Sequence, residues 1–512
     1  MRLKAQKIIE LADSQAAQGK GTEAIDNYRK GAEAYGELWA KYCETPLSKG
    51  DKVKQCEKAD EILYNRAKAY QAGRLLAKSI GARMVLLDPK FGLAKSPLAF
   101  KAMYEIGGNY QAIAVYDKAS DWFEKYAKET SYKGETADQA LSDAVVLRLG
   151  LGQEEEAIAD ANNFNKYYGG RKPAQAAQIA FAVAAHYGEK SAWEDVVKRL
   201  NASMNTIDKQ ATLDVRIQAH GLLARAYANT KRAPNAATEY KKVLGAWRDP
   251  QKAVSEIQSI KDDSEDARTR RIGRTLESVG EATFYFAEEM KSKVDSVKFP
   301  EYKGKGSKEE VKKHIETKVK DWIGKKRPLI EAATADYKRI VDLQPVPPPR
   351  WVIASGSRVG QMWGQFVKEF RAAPIPDSIK KDYELRTAYY GALDDASEPQ
   401  KQMARGAFET CLKYSVKYQY FDQFSRTCEE WLADNYKTEY HLIDEFRGSP
   451  NRVNSALREK PRPVRIGGES FVTASAEPDV DKKALKKADS QSDENSKTEK
   501  SKPEKTEKKK KK

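Results

Sequence analysis

A pattern of small and large residues recurs along the first half of the chain. It is clearest at residues 102–110, Ala-Met-Tyr-Glu-Ile-Gly-Gly-Asn-Tyr, which Tyr116, Ala119 and Phe123 follow. Small residues let two helices cross closely, and the large residues fill the space on either side. Such a repeat predicts two-helix units that bury a continuous core only by stacking on their neighbours. The expected fold is therefore all-α and solenoidal.

Six units align on two small positions that lie twelve residues apart. Successive units are separated by 55, 40, 38, 39 and 40 residues. Two of the positions hold a valine, where a smaller residue is expected. The first-helix positions are Ala12, Ala67, Gly107, Val145, Ala184 and Ala224, and their second-helix partners are Ala24, Ser79, Ala119, Ala157, Val196 and Ala236.

Over residues 1–245 these positions resemble those of the tetratricopeptide-repeat (TPR) superfamily. The resemblance implies a TPR-like α-solenoid in which the first helix of each unit lines a concave groove. A helical repeat of another superfamily is the structural alternative. By the resemblance, the exposed groove positions are Tyr64, Lys68, Gln71, Lys101, Tyr104, Gln111, Phe181, Gln218 and Arg225.

This set mixes rings, amides and cations. Such a groove suits a partner protein that presents an acidic or extended segment. The alternative is that these side chains only solvate the groove.

Beyond residue 245 the repeat fades but the helical pattern continues. Residues 246–343 predict a helical extension with a long charged helix that starts near residue 307. Residues 344–350 are rich in proline, which fixes φ and disfavours helix before it, so they predict an extended hinge. A second helical domain is expected over 351–447, with helices near 378–394, 399–418 and 421–437.

Residues 448–512 predict an irregular to disordered basic tail. Its last part, residues 481–512, holds 13 lysines against seven acidic residues, a composition that cannot bury a core. This tail carries the alternative function, which is the binding of a polyanion, a nucleic acid or a membrane surface. Nucleic acid is the less favoured of these partners, because residues 481–512 contain no arginine and no aromatic residue.

The four cysteines form two close pairs, Cys43 with Cys56 and Cys411 with Cys428. Each pair straddles a probable turn, and residues that face each other across a helical hairpin can form a disulfide. Disulfides would favour an oxidising compartment. The alternative is that the thiols are small core residues.

Two further stretches resemble the C-terminal part of large TPR proteins of myxobacteria and their relatives. They are residues 347–355, Pro-Pro-Pro-Arg-Trp-Val-Ile-Ala-Ser, and the ring-rich residues 414–431. Some members of that group belong to the cell envelope, including its gliding-motility machinery. The resemblance implies a bacterial envelope scaffold in the periplasm. If Met1 is the true start, the cytoplasm is expected instead, because residues 1–9 hold no apolar signal region.

No catalytic motif stands out. The four histidines lack metal-pair spacing, and P-loop, His-Glu-x-x-His and Gly-x-Ser-x-Gly patterns are missing. No apolar run approaches the length of a membrane span. We therefore expect a non-enzymatic scaffold without a cofactor, a metal or a small-molecule substrate.

Overall fold

The computed structural model describes residues 1–260 and 264–442, and every regular element in this part of the chain is helical. Packing divides the protein into two compact units. Unit 1 comprises residues 1–134, and unit 2 begins at residue 135. The division falls inside the predicted repeat region, so each unit contains three of the six predicted repeats. The predicted tail from residue 448 lies outside the described residues.

Unit 1 consists of three helical hairpins. The hairpins are α1 with α2, α4 with α5 and α6 with α7, and each stacks on the next through α2 against α4 and α5 against α6. The 55-residue spacing arises because α2 is long and because α3 and a short 3₁₀ turn follow it. The helices are α1 (Arg2–Ala17), α2 (Gly21–Tyr42), α3 (Glu44–Ser48), α4 (Ala59–Ala72), α5 (Leu76–Leu87), α6 (Pro97–Ala112) and α7 (Tyr116–Glu129).

Unit 2 begins with three more hairpins, formed by α8 with α9, α10 with α11 and α12 with α13. The first helices α8, α10 and α12 lie side by side. These helices are α8 (Ala137–Leu151), α9 (Glu154–Tyr168), α10 (Pro173–Glu189), α11 (Trp193–Gln210), α12 (Leu213–Asn229) and α13 (Ala233–Ala246).

The twelve aligned small positions are all buried. Gly107 shows why size matters there, since a Cβ atom on it would lie 2.5 Å from Cδ1 of Phe123. The turn inside each hairpin also repeats. Seven residues after every first-helix position the backbone is left-handed, at Gly19, Arg74, Ala114, Gly152, Ser191 and Lys231. The all-α, TPR-like fold is therefore confirmed within each unit.

The rest of unit 2 is a larger helical body. Its long helix α15 packs against the repeat helices α12 and α13 and against the later helices α17 and α18. The helices are α14 (Pro250–Gln258), α15 (Glu265–Ser296), α16 (Lys308–His314), α17 (Lys320–Val341), α18 (Pro349–Arg371), α19 (Asp377–Lys380), α20 (Tyr383–Tyr418) and α21 (Gln423–Asn435).

Two expectations about this body do not fit the structure. The residues before and after the proline-rich segment share one core, exemplified by Tyr337 and Trp363, which does not fit a hinge between separate bodies. The predicted break between 394 and 399 is also wrong, because α20 runs unbroken through Pro399. The proline removes one backbone donor, while Ser397, Ala404 and Phe408 are buried around it.

Both cysteine pairs are bonded in the structure. Cys43 follows α2 and joins Cys56 in the 3₁₀ turn before α4, with Cα atoms 5.5 Å apart. Cys411 of α20 joins Cys428 of α21, with Cα atoms 6.5 Å apart. Each bond therefore fixes the relative placement of two helices inside one unit. Among the described residues, no helix is both long and apolar enough to cross a membrane.

Candidate functional site

Two predicted groove residues of unit 1, Tyr64 and Gln71, belong to a hydrogen-bond network around Arg83, a fully buried arginine of α5. Its Nε and Nη2 atoms donate to Glu105 Oε2 at 3.0 and 2.6 Å, and Nη2 also donates to Gln71 Oε1 at 2.8 Å. The Tyr64 hydroxyl donates to the other Glu105 oxygen at 2.6 Å. This network joins α4, α5 and α6, so its polar groups hold the hairpins together.

Tyr64 is the clear error among the predicted exposed positions, since only 6% of it is accessible. Burial, together with the hydrogen bond to Glu105, raises its pKa. The Lys101 ammonium lies 5.9 Å from the ring centroid. Tyr64 is therefore a structural residue, and the cation beside it remains exposed.

The other predicted residues of unit 1 differ in how much they can offer a partner. Lys68, Gln71 and Gln111 are exposed. Tyr104 is half-buried, because its ring packs against the rings of Phe123 and Tyr126 at 5.5 Å each.

Arg83 and Glu105 are not among the residues predicted from the sequence. A signal was present, because the small position of this hairpin holds Ser79 and the core position four residues later holds an arginine. Other units carry a ring there, such as Phe123 and Tyr240. Two polar residues at adjoining core positions predict a buried network, since a lone buried charge is too costly.

The predicted groove residues of unit 2 belong to a different kind of site. The first helices α8, α10 and α12 and the start of α15 enclose a cleft of about 530 Å³. Two of the predicted groove residues, Phe181 and Gln218, are among its lining residues. Val146, Leu149, Gln178, Ala185 and His186 also contribute from the repeat helices, and Arg270, Arg271 and Arg274 contribute from α15.

The repeat helices give this cleft an apolar side. Val146 is 58% exposed, and Phe181 is half-buried. Exposed Gln178 and half-buried Gln218 add amide groups that can both donate and accept hydrogen bonds. We call this side the apolar floor.

The other side of the cleft is cationic, and we call it the arginine wall. Arg271 Nη1 lies 3.1 Å from Oδ2 of the buried Asp214, so this arginine is neutralised. Arg270 and Arg274 are exposed, and neither forms an ion pair within the part of the chain that the structure describes. Glu189 is the exposed acidic residue that also lines the cleft.

His186 lies at the cleft beside Glu154. Its Nε2 is 3.2 Å from Glu154 Oε1, and the Lys190 ammonium contacts the same oxygen. Hydrogen bonds from Lys190 and then His186 lower the pKa of Glu154 to about 2. This carboxylate is therefore charged and occupied, and it does not compete for the arginine wall.

Arg225, the last predicted groove residue, does not line the cleft. Its Nε donates to Glu281 Oε1 at 2.6 Å, and the Tyr240 hydroxyl donates to the same oxygen at 3.0 Å. The hydrogen bond with Glu281 raises the pKa of Arg225. Its charge is thus used to join α12 to α15, and its assignment to partner binding is not supported by this geometry.

The arginine wall was also missed at the sequence level. Its signal is a cluster of four arginines within seven residues, at positions 268, 270, 271 and 274. The repeat register ends before this segment and so gave no reason to place it beside the groove. No group of three or more metal-ligating side chains occurs within residues 1–260 and 264–442.

Comparison with known proteins adds little to this geometry. No protein family matches the chain, and no curated protein matches it in sequence. Among solved structures, the P58(IPK) TPR domain is 12% identical and covers 83% of this chain and 97% of its own, with a TM-score of 0.20.

Two other solved structures are similar at the same level. An IFIT1 monomeric mutant with m7Gppp-AAAA is 9% identical and covers 80% of this chain and 85% of its own, with a TM-score of 0.20. A circular tandem repeat protein is 14% identical and covers 85% and 94%, with a TM-score of 0.18. These scores are too low to carry an assignment, so the repeat architecture rests on the contacts described above.

Proposed function

We propose that this protein is a non-enzymatic interaction scaffold, and that the cleft of unit 2 holds a segment of a partner protein. One observation carries the proposal. An exposed apolar floor faces the same cavity as Arg270 and Arg274, which form no ion pair with any residue of 1–260 or 264–442. An apolar surface exposed to water and two cations that face one cavity are both stabilised by a complementary ligand. Both features therefore indicate a binding site.

The shape of the cleft supports a polypeptide as the ligand. It is bordered by parallel rows of helix side chains, as in other grooves that hold peptide segments. Gln178 and Gln218 can hydrogen-bond the main chain of an extended segment, which has a donor and an acceptor at nearly every residue. A small rigid metabolite would offer fewer donors and acceptors for hydrogen bonds to these two amides.

A peptide selection tests this proposal directly. The full-length protein is used to select binders from a displayed random-peptide library, and the selected peptides are then measured against two variants. Arg270→Glu with Arg274→Glu is expected to weaken binding at least tenfold, since two attractive charges become repulsive. Arg268→Glu with Arg248→Glu, which changes the net charge equally outside the cleft, serves as the control. Selected peptides that bind both variants equally would contradict the assignment of the cleft.

Unit 1 supports a weaker second contact. Lys68, Gln71, Lys101 and Gln111 are exposed, and we infer that they add polar contacts to a partner. Lys101→Glu tests this with little risk to the fold, whereas Tyr104→Ala would remove packing against Phe123. Unchanged affinity for a full-length partner in Lys101→Glu would limit binding to unit 2.

A place in a bacterial envelope assembly is the further proposal that the sequence resemblance suggests. Two bonded cysteine pairs support it, because disulfides persist in oxidising compartments. Counting of reactive thiols on protein isolated from its native host tests this compartment. Four reactive thiols would point to a reducing compartment instead.

The lysine-rich segment 481–512 supports a second candidate function, the binding of polyanions or anionic membrane surfaces. Deletion of 481–512 should abolish such binding, which should also fall steeply with added salt. Peptide binding in the cleft should survive the same deletion. Heparin and vesicles with anionic lipid are suitable probes.

A further inference from the structure

The arginine wall has a regular spacing that constrains its ligand. Arg270 and Arg274 are four residues apart on α15, so they lie one above the other on the same helix face. Four residues along a helix rise about 6 Å. Two carboxylates that engage both guanidinium groups at once must therefore lie a similar distance apart.

An extended peptide provides this distance between residues i and i+2. Their side chains point to the same side of the chain and are separated by about 6.7 Å. The side chain between them points to the opposite side. Val146 and Phe181 of the apolar floor line the same cleft and offer an apolar contact for that central side chain.

An extended ligand matches the spacing of the two arginines with fewer residues than a helix. Acidic residues at i and i+4 of a helix span more than one turn, and a helix with its side chains is about 10–12 Å wide. An acidic pair at i and i+2 of a strand needs only three residues, and its central side chain points away from both acids.

We propose that the cleft recognises an acid–apolar–acid tripeptide in an extended partner segment. The two carboxylates pair with Arg270 and Arg274, and the central apolar side chain packs on Val146 and Phe181. This inference rests on the proposed scaffold function and specifies the partner for that same site. Arg271 takes no part, because Asp214 already neutralises it.

Fluorescence polarisation with defined peptides on the full-length protein tests the motif. The probe is fluorescein-labelled Gly-Ser-Glu-Leu-Glu-Ser-Gly. The comparison peptides replace its centre with Gln-Leu-Gln, which removes the charges, with Glu-Glu-Leu, which makes the charges adjacent, or with Glu-Ser-Glu, which removes the apolar residue. We expect each replacement to weaken binding about tenfold or more, the change that about 1.4 kcal/mol produces.

Variants assign the contacts to residues. Arg270→Ala and Arg274→Ala should each weaken Glu-Leu-Glu binding about tenfold, as expected for one charge-assisted pair, and should leave Gln-Leu-Gln binding unchanged. Arg268→Ala lies on the same helix outside the cleft and should have no effect. Val146→Asp changes an exposed residue of the floor and should weaken every peptide with a central leucine. Unchanged thermal midpoints show that the variants are folded.

The possible failures are distinguishable. If Glu-Glu-Leu binds as tightly as Glu-Leu-Glu, or if Arg268→Ala weakens binding as much as Arg274→Ala, the tripeptide motif is wrong. If Val146→Asp still weakens peptide binding in that case, the proposal that the cleft holds a partner segment is supported. If peptides selected by the protein are insensitive to Val146→Asp, to Arg270→Ala and to Arg274→Ala, the scaffold proposal for this cleft fails too. Equal competition by heparin would mean unspecific polyanion binding, and it would also overturn the motif.

Discussion

Arg83 illustrates how a charge is stabilised in the interior of a helical repeat. It is fully buried, and Glu105, Gln71 and Ser79 all accept hydrogen bonds from it. Removing one member of a buried ion pair leaves the other without compensation, which costs about 3–5 kcal/mol. The network is therefore worth more to unit 1 than any of its exposed charges.

We expect Arg83→Ala to lower the free energy of unfolding of unit 1 by about 3 kcal/mol, because the pair with Glu105 is lost and Ser79 and Gln71 lose a donor. Urea denaturation followed by far-UV circular dichroism measures the effect. Lys68→Ala, an exposed cation of the same unit, is the control and should change stability by less than about 0.5 kcal/mol. A loss below about 1 kcal/mol in Arg83→Ala would mean that the network is already solvated.

Asp143 in α8 gives unit 2 a pH-dependent weakness. Burial raises its pKa from 3.8 to about 6. The folded state thus holds the proton more tightly than the unfolded chain, and stability falls as pH rises from about 4 to 6. Asp143→Asn should therefore stabilise unit 2 by about 1 kcal/mol at pH 7.5, after allowance for partial solvent screening. Denaturation at pH 4 should show almost no difference, and an equal gain at both pH values would contradict the assignment.

At the scale of elements, the conformation of the turn inside each hairpin is the feature that repeats. Each turn needs one left-handed residue, and the chain supplies glycine at only two of the six positions. A residue with a Cβ atom pays about 1 kcal/mol in this conformation. The turn shape is therefore imposed by the packing of the two helices, and local preference opposes it at the other four positions.

Ala114→Gly is expected to stabilise unit 1 by about 0.5–1 kcal/mol, since glycine relieves the strain at a φ of 60°. Thermal unfolding provides the measurement. Ala202→Gly, at an exposed position inside α11, should instead destabilise unit 2 by about 1 kcal/mol. The opposite signs of the two changes separate the turn effect from the general entropic cost of glycine.

An element could be predicted from the sequence where it depends on nearby residues, and could not where it depends on contacts with distant helices. The repeat register depends on small residues at fixed spacing, so the six hairpins follow from the sequence. The register also selects the helix face that carries Phe181 and Gln218, which line the cleft. The course of α20 depends on burial against distant helices, and a proline at 399 gave the opposite local signal. The register predicts that Tyr64 is exposed and that Arg225 can bind a partner, because it gives the face of a helix but neither the residues that cover Tyr64 nor the pairing of Arg225 with Glu281.

At the scale of the molecule, the cleft combines residues that the sequence separates widely. Phe181 and Arg274 lie on different kinds of element, the first in a repeat hairpin and the second in a helix outside the repeat. The repeat alone predicts a groove, but only the packing of α15 against α12 brings the arginines to it. The cationic character of the site was therefore beyond a register-based prediction.

The two disulfides lie in different units, which makes them independent probes of the two-unit division. Replacing both cysteines of a pair by alanine should lower stability by about 3 kcal/mol for loops of this length. The Cys43 and Cys56 double variant should shift only the unfolding of unit 1, and the Cys411 and Cys428 double variant only that of unit 2. Differential scanning calorimetry resolves the two transitions, and a shift of both by either variant would show that the chain unfolds as one body.

The last prediction follows from the location of the cleft. All of its lining residues belong to unit 2, so a fragment of residues 135–459 contains the whole site. If the units are independent cores, this fragment should unfold cooperatively and bind the Glu-Leu-Glu peptide within about threefold of the full-length affinity, a difference below about 0.7 kcal/mol. A folded fragment with much weaker binding would mean that unit 1 contributes to the same ligand. In that case Lys101→Glu in the full-length protein should weaken peptide binding as much as the removal of unit 1 does.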